Sequence, residues 1–194
     1  MPEEDANVQK DWIEALTDKS AKNDKLKRSD RYGQVIGIAC VVLMSIFFAY
    51  HLTRPTGFFT GDFGALGAIL FFGAVVFGIL PQAIRFITGR KNPARLFDIV
   101  GSVITLIAMI YFLSTFPFDF SHFADPLPAS LEGILNWVSN DLAKGLLTLG
   151  IIGMLIATPI QVLILIRVRE IGSMPDQKVV ENPPAPEEAP KEPK

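Results

Sequence analysis

Cysteine is nearly absent: Cys40 is the one cysteine in 194 residues. That excludes an internal disulfide framework and a Cys-x-x-Cys redox pair. Histidine is almost as scarce. His51 and His122 are the two present, and two isolated imidazoles without a cysteine or acidic cluster do not make a zinc spacing or a haem slot. Charge is what the long middle of the chain lacks most. Of the 18 basic and 20 acidic residues, 15 fall in residues 1–31 and 8 in residues 176–194, leaving 15 for everything between. A net charge of −2 provides no electrostatic footprint for nucleic acid. No P-loop, no G-x-G-x-x-G behind a strand pattern and no H-E-x-x-H occurs. Ser45, Ser102 and Ser114 have no His or Lys at a matching level, so nucleophilic catalysis lacks its base. We therefore read the chain as non-enzymatic and without a cofactor or metal.

What the chain has in quantity is apolar length. Hydrophobic residues make up 49%, and mean hydropathy is +0.35. Four apolar runs account for this, at about residues 33–52, 63–84, 96–118 and 145–166. Each is about 20 residues, enough for an α-helix to cross a hydrocarbon core of roughly 30 Å. Transmembrane β-strands would be about half as long and would alternate in polarity. The expected fold class is thus all-α: an antiparallel four-helix transmembrane bundle. The first run follows more than thirty mostly polar residues and does not read as a cleaved signal peptide.

Basic residues flank the runs unevenly. Six stand between Lys19 and Arg31 before the first run (Lys19, Lys22, Lys25, Lys27, Arg28 and Arg31). Then come Arg54 alone, the set Arg85, Arg90, Lys91 and Arg95, Lys144 alone, and finally Arg167 and Arg169. The rule that Lys and Arg concentrate on the cytoplasmic side puts both termini in the cytoplasm of a multi-pass protein of the cell membrane.

Outside the runs three segments are expected. Residues 1–32 place Val8, Trp12 and Leu16 four apart and then turn basic, which reads as a short amphipathic helix leading into a juxtamembrane segment. Trp12, Lys22, Lys25, Lys27 and Arg28 are its candidate contacts with anionic lipid headgroups or a partner. In the third connection Leu131, Ile134, Leu135, Val138 and Leu142 share a helical face. An outer interfacial helix over about 129–142, anchored by Trp137, is expected there. Residues 172–194 hold six of the 14 prolines and several glutamates, a composition that cannot bury enough apolar area to offset its ordering entropy, so a disordered cytoplasmic tail is expected.

Small residues recur in the runs at three- and four-residue steps: Gly33 and Gly37; Gly64, Gly67, Ala74 and Gly78; Gly101 and Ala108; Gly150, Gly153 and Ala157. In lipid, helices associate by close backbone approach rather than by the hydrophobic effect, so these are the expected packing stripes. Pro81 and Pro159 are the expected kinks. Arg85 and Asp98 fall on the stripes near the cytoplasmic rim with a short basic loop between them, and a structural ion pair is expected there. These are packing and interface signals. They point to a scaffold, assembly factor or accessory subunit of a membrane complex, with the bilayer and a membrane-protein partner or a second copy as its contacts. A small transporter or channel component acting as an oligomer is the alternative.

Overall fold

The protein is described by a computed structural model over residues 14–173; Trp12, with the rest of residues 1–13, and the tail from 174 to 194 lie outside the described residues. All regular structure described is helical. Residues 14–22 form α1. Four longer helices follow: α2 Arg28–Thr53, α3 Gly64–Thr88, α4 Arg95–Thr115 and α5 Asn140–Ser173. Each of these four is long and apolar enough to cross a membrane.

The helices begin and end where their chemistry changes, but not where apolar character does. α2 starts five residues before the apolar run, because Arg28–Tyr32 contains no Gly or Pro to interrupt it. α5 starts at Asn140, behind Ser139, whose Oγ accepts from the Leu142 amide at 3.2 Å as an N-cap does. It runs seven residues past the apolar stretch to Ser173. Gly89 ends α3 with φ of +65°, and its amide donates to Arg85 O at 2.9 Å. That left-handed cap is the conformation for which glycine lacks a steric penalty.

Successive helices run antiparallel, as their contacts establish. Near the start of α2, Arg31 donates to Phe86 O near the end of α3 at 2.6 Å. At the opposite end, Phe48 meets Phe71 edge-on at 4.9 Å. Phe63, just ahead of α3, stacks on Phe112 near the end of α4, and Ser102 donates to Gln161 between α4 and α5 at 3.2 Å. Packing follows chain order, α2 on α3, α3 on α4 and α4 on α5. No comparable packing joins α2 to α5. The helices therefore form a row in chain order, with a seam between its first and last members.

The expected packing stripes meet neighbours at some positions and open space at others. A Cβ on Gly37 would collide with the Gln82 side chain, one on Gly101 would lie 3.1 Å from Phe77 O, and one on Gly150 would lie 2.7 Å from Met109 Cε. Gly67 sits under the Phe63 ring at 3.2 Å; Ala108 is buried, and Ala74 packs against the cluster that holds it. These six are packing positions. Gly33, Gly64, Gly78 and Gly153 face open space within 4 Å, and Ala157 is exposed. α2 and α5 each have one helical neighbour in the row, so part of a small-residue stripe on either has nothing to approach. Both prolines lie inside continuous helices.

The expected interfacial helix over 129–142 does not form. Turns and one short 3₁₀ segment, Glu132–Ile134, occupy its place. Gly133 lies mid-segment, Pro126 and Pro128 precede it, and Ser139 is committed to capping α5; a helix this short is marginal without such losses. Trp137 is 69% exposed and donates to Ile134 O at 2.7 Å.

Candidate functional site

Two ends of the helix row are built from different materials, and three cavities lie between them. At the α2–α3 turn the chain is sealed by rings. Phe58 is 1% exposed and has Phe59, Phe118, Phe120 and Phe123 within 5.6 Å between centroids. Two connections are tied across this end: Asp119 donates its amide to Phe58 O at 2.7 Å and Thr60 to Pro117 O at 3.1 Å. His51 is buried in the same cluster, 4.7 Å from Phe58. Its Nδ1 shares a 2.7 Å hydrogen bond with Thr56 Oγ1. His122 instead pairs with Asp125 at 3.0 Å on the outside. Beside it, the Ser121 hydroxyl and amide both donate to Asp119 and hold its carboxyl below the usual range.

The opposite end is fastened by charge. Arg85 of α3 donates to Asp98 of α4, so the structure brings these two sequence candidates together, with side chains 25% and 18% exposed. Around them a polar layer extends to α2 and α5. Ser102 donates to both Asp98 O and Gln161 Oε1, and Gln82 donates to Gly78 O at 2.9 Å in the turn that Pro81 deprives of one amide.

The segment before α2 is clasped onto the α3–α4 loop, a link that sequence reading missed. Asp24 accepts from the Lys91 and Asn92 amides at 3.1 and 2.8 Å and from Arg90 Nε at 2.6 Å. Leu26 donates to Gly89 O, Lys91 donates to Asp24 O, and Lys25 bridges Arg90. Burial alone would raise the Asp24 carboxyl, but the Asn92 amide, Arg90 and the Lys91 amide outweigh it and hold it below the usual range. Arg95 reaches Ser20 O at 2.7 Å, and Arg167 of α5 bonds Asp18, which holds the Asp18 carboxyl low. Of the proposed lipid contacts, Lys22 lies 3.7 Å from Asp18, Lys25 is in the clasp, and Lys27 and Arg28 begin α2.

Three cavities run between these ends. An apolar chamber of about 640 Å³ is walled by α2 to α5 and closed by the phenylalanines of the sealed end. A polar cavity of about 420 Å³ lies below it around Gln82, Arg85, Asp98 and Ser102. A basic mouth of about 290 Å³ is lined by Arg85, Lys91 and Arg95 with Asp30. Gly78 and Thr105 line both chamber and polar cavity, and Gln34 and Arg85 line both polar cavity and mouth. The phenylalanines were invisible as a group in the sequence, being scattered over seventy-six positions from Phe48 to Phe123. Among the described residues no group of three or more His, Cys, Asp or Glu is placed to hold a metal. No protein-family model matches the chain, and comparison with curated proteins and with solved structures returns no similar protein.

Proposed function

We propose that the chain is a multi-pass protein of the cell membrane, with α2 to α5 inserted as an antiparallel bundle and both termini in the cytoplasm. Its role on this reading is that of a non-enzymatic scaffold, assembly factor or accessory subunit of a membrane complex. The observation that supports it is how the charged groups of the helix ends are used. Arg85 is held by Asp98, Arg90 by Asp24 and Arg167 by Asp18. These pairs gather at the end where the basic flanking residues stand, so they fasten the rim and leave the helix centres apolar. A relay across a membrane needs ionisable groups at mid-depth. The outward faces of α2 and α5, with Leu43 and Leu149 each 66% exposed, are what such a protein offers to lipid or a neighbouring helix.

Insertion and role are tested separately. With Cys40 replaced, single cysteines at Asp5, Gly57, Asn92, Asp125 and Lys191 should react with an impermeant reagent in intact cells only at positions 57 and 125. Labelling at 5 or 92 would overturn the topology. A photoreactive residue at Leu43 or Leu149 in native membranes should give one discrete protein adduct. The cavities that lie between the two ends favour a second reading, a small transporter or channel component acting as an oligomer. Solute or ion flux in proteoliposomes above empty vesicles, reduced by Gly78→Leu, would replace the scaffold reading with that one.

A further inference from the structure

The three cavities, each sharing two lining residues with the next, change character in a definite order. At the basic mouth Lys91 Nζ makes no hydrogen bond or ion pair among the described residues. Arg95 uses Nε on Asn92 and Nη2 on Ser20 O, which leaves Nη1 for another acceptor. With Arg85, three cations stand against Asp30 and Asp98, a local balance of +1. Past the mouth the passage runs beside Gly78, which lines both the polar cavity and the apolar chamber and where a Cβ would meet nothing within 4 Å. It then opens into the apolar chamber, whose volume falls within the roughly 300–1,000 Å³ typical of small-molecule sites. Depth matches one leaflet. From Arg85 up α3 to Val75 is ten residues, about 15 Å at 1.5 Å per residue, and half of a roughly 30 Å hydrocarbon core is about the same. The α2–α5 seam leaves the passage open along one side.

We propose that this passage binds one anionic phospholipid, its phosphate at Arg85, Lys91 and Arg95 and one acyl chain passing Gly78 into the apolar chamber. The second chain stays in the bilayer through the open seam. Basic pockets between helices at the cytoplasmic face hold anionic headgroups by this chemistry. An apolar chamber at chain depth separates such a site from an inorganic anion site. The inference goes beyond the scaffold reading and shares with it only membrane insertion, which the cysteine labelling reads independently.

The test uses the full-length protein, purified in detergent and stripped of lipid. Retention of phosphatidylglycerol and of phosphatidylcholine with the same chains is counted by native mass spectrometry. One phosphatidylglycerol per chain should be held about tenfold more tightly than the zwitterionic lipid, a difference of about 1.4 kcal/mol. Lys91→Gln should reduce that preference several-fold, and Gly78→Leu should weaken retention about tenfold by filling the space where polar cavity and apolar chamber meet. A phosphatidylglycerol carrying a mid-chain diazirine should label the wild-type protein at chamber-lining residues such as Phe71, Val75, Thr105 and Met109, which decides the matter even where the Gly78 variant fails to fold. Equal retention of both lipids, unchanged by Lys91→Gln, would overturn the site. So would mid-chain adducts on the outward residues Ile69, Val76 and Ile110. Displacement by glycerol phosphate as effective as by intact lipid would also overturn it, since a bare anion site needs no chamber. Because the purified chain is measured alone, failure here leaves the partner reading standing, and a failed partner search leaves this site standing.

Discussion

The sealed end and the clasped end hold the same helices by opposite physics. At the sealed end, Phe58, Phe63 and Phe112 are each at most 6% exposed and lie in a network of edge-on, stacked and tilted rings. Ring packing of this kind has no net charge and is insensitive to salt, and the buried His51 is the titratable group within it. The clasped end relies on Asp18, Asp24 and Asp98 against Arg167, Arg90 and Arg85, with backbone amides completing the shell of Asp24. Charged pairs near water are screened and titratable. The comparison teaches which end should hold at any salt concentration and which end salt can loosen.

The largest expected effect comes from breaking the sealed end. Phe58→Ala removes a fully buried ring from the centre of the cluster and should destabilise the fold by about 3–5 kcal/mol, the range for large aromatic truncations. Thermal unfolding of the detergent-solubilised protein measures it, and the loss should be the same in low and high salt. A marked salt dependence would show that the two ends are coupled.

Next in size is the rim pair. Asp98→Ala strands the Arg85 guanidinium among helices, and should cost about 1–3 kcal/mol, less than the roughly 3–5 of a fully buried pair because both groups keep some exposure. The double change Arg85→Ala with Asp98→Ala should cost less than Asp98→Ala alone. Additive losses in a double-mutant cycle would show that the pair contributes no coupling.

Both of those groups sit in regions that sequence reading treated unequally. Arg85 and Asp98 were legible, since each falls on a three- and four-residue stripe and only thirteen positions separate them. The four long helices were legible too, because an apolar run of about twenty residues has few other outcomes. Their ends were not: Arg28–Tyr32 and Asn140–Lys144 are polar yet helical, and composition marks only the stretch that avoids water. The amphipathic pattern of residues 129–142 misled, since periodicity says nothing about Gly133 or the competing cap at Ser139. The clasp and the ring cluster depend on long-range neighbours: Asp24 is 66 residues from Arg90, and no local pattern encodes that distance. The open α2–α5 seam was equally hidden, because a small-residue stripe looks alike whether a helix or a cavity faces it.

A smaller effect sharpens the comparison at Asp24. Its carboxyl is held low in the folded protein, so the clasp is fully present above the ordinary carboxylate value and is lost as pH falls below it toward the lowered one. Hydrogen exchange at the Leu26, Lys91 and Asn92 amides should therefore accelerate below about pH 4. Asp24→Asn should loosen the same three amides at neutral pH by about 1 kcal/mol, the scale of a hydrogen bond to a charged group reduced by partial exposure. Unchanged exchange in the variant would mean the backbone bonds alone hold the segment.

The smallest effect belongs to Asp18 and Arg167, whose side chains are 33% and 38% exposed. This pair joins α1 to α5 and lies where water and salt reach both partners. Its attraction falls off over a Debye length of roughly 10 Å at 0.1 M salt, and Glu170 already competes for the same guanidinium at 2.8 Å. Asp18→Asn should therefore leave the unfolding temperature unchanged at physiological salt. What should change is local: amide exchange over residues 14–22 should rise in the variant at low salt, and the wild type should reach the same rate as salt is added. Arg95, which grips Ser20 O through an uncharged acceptor, should keep the following residues in place in both proteins. If salt instead releases residues 14–22 and the Asp24 clasp together, the two contacts form one cooperative unit. The clasped end would then be a single latch whose strength is set by its weakest, most exposed pair.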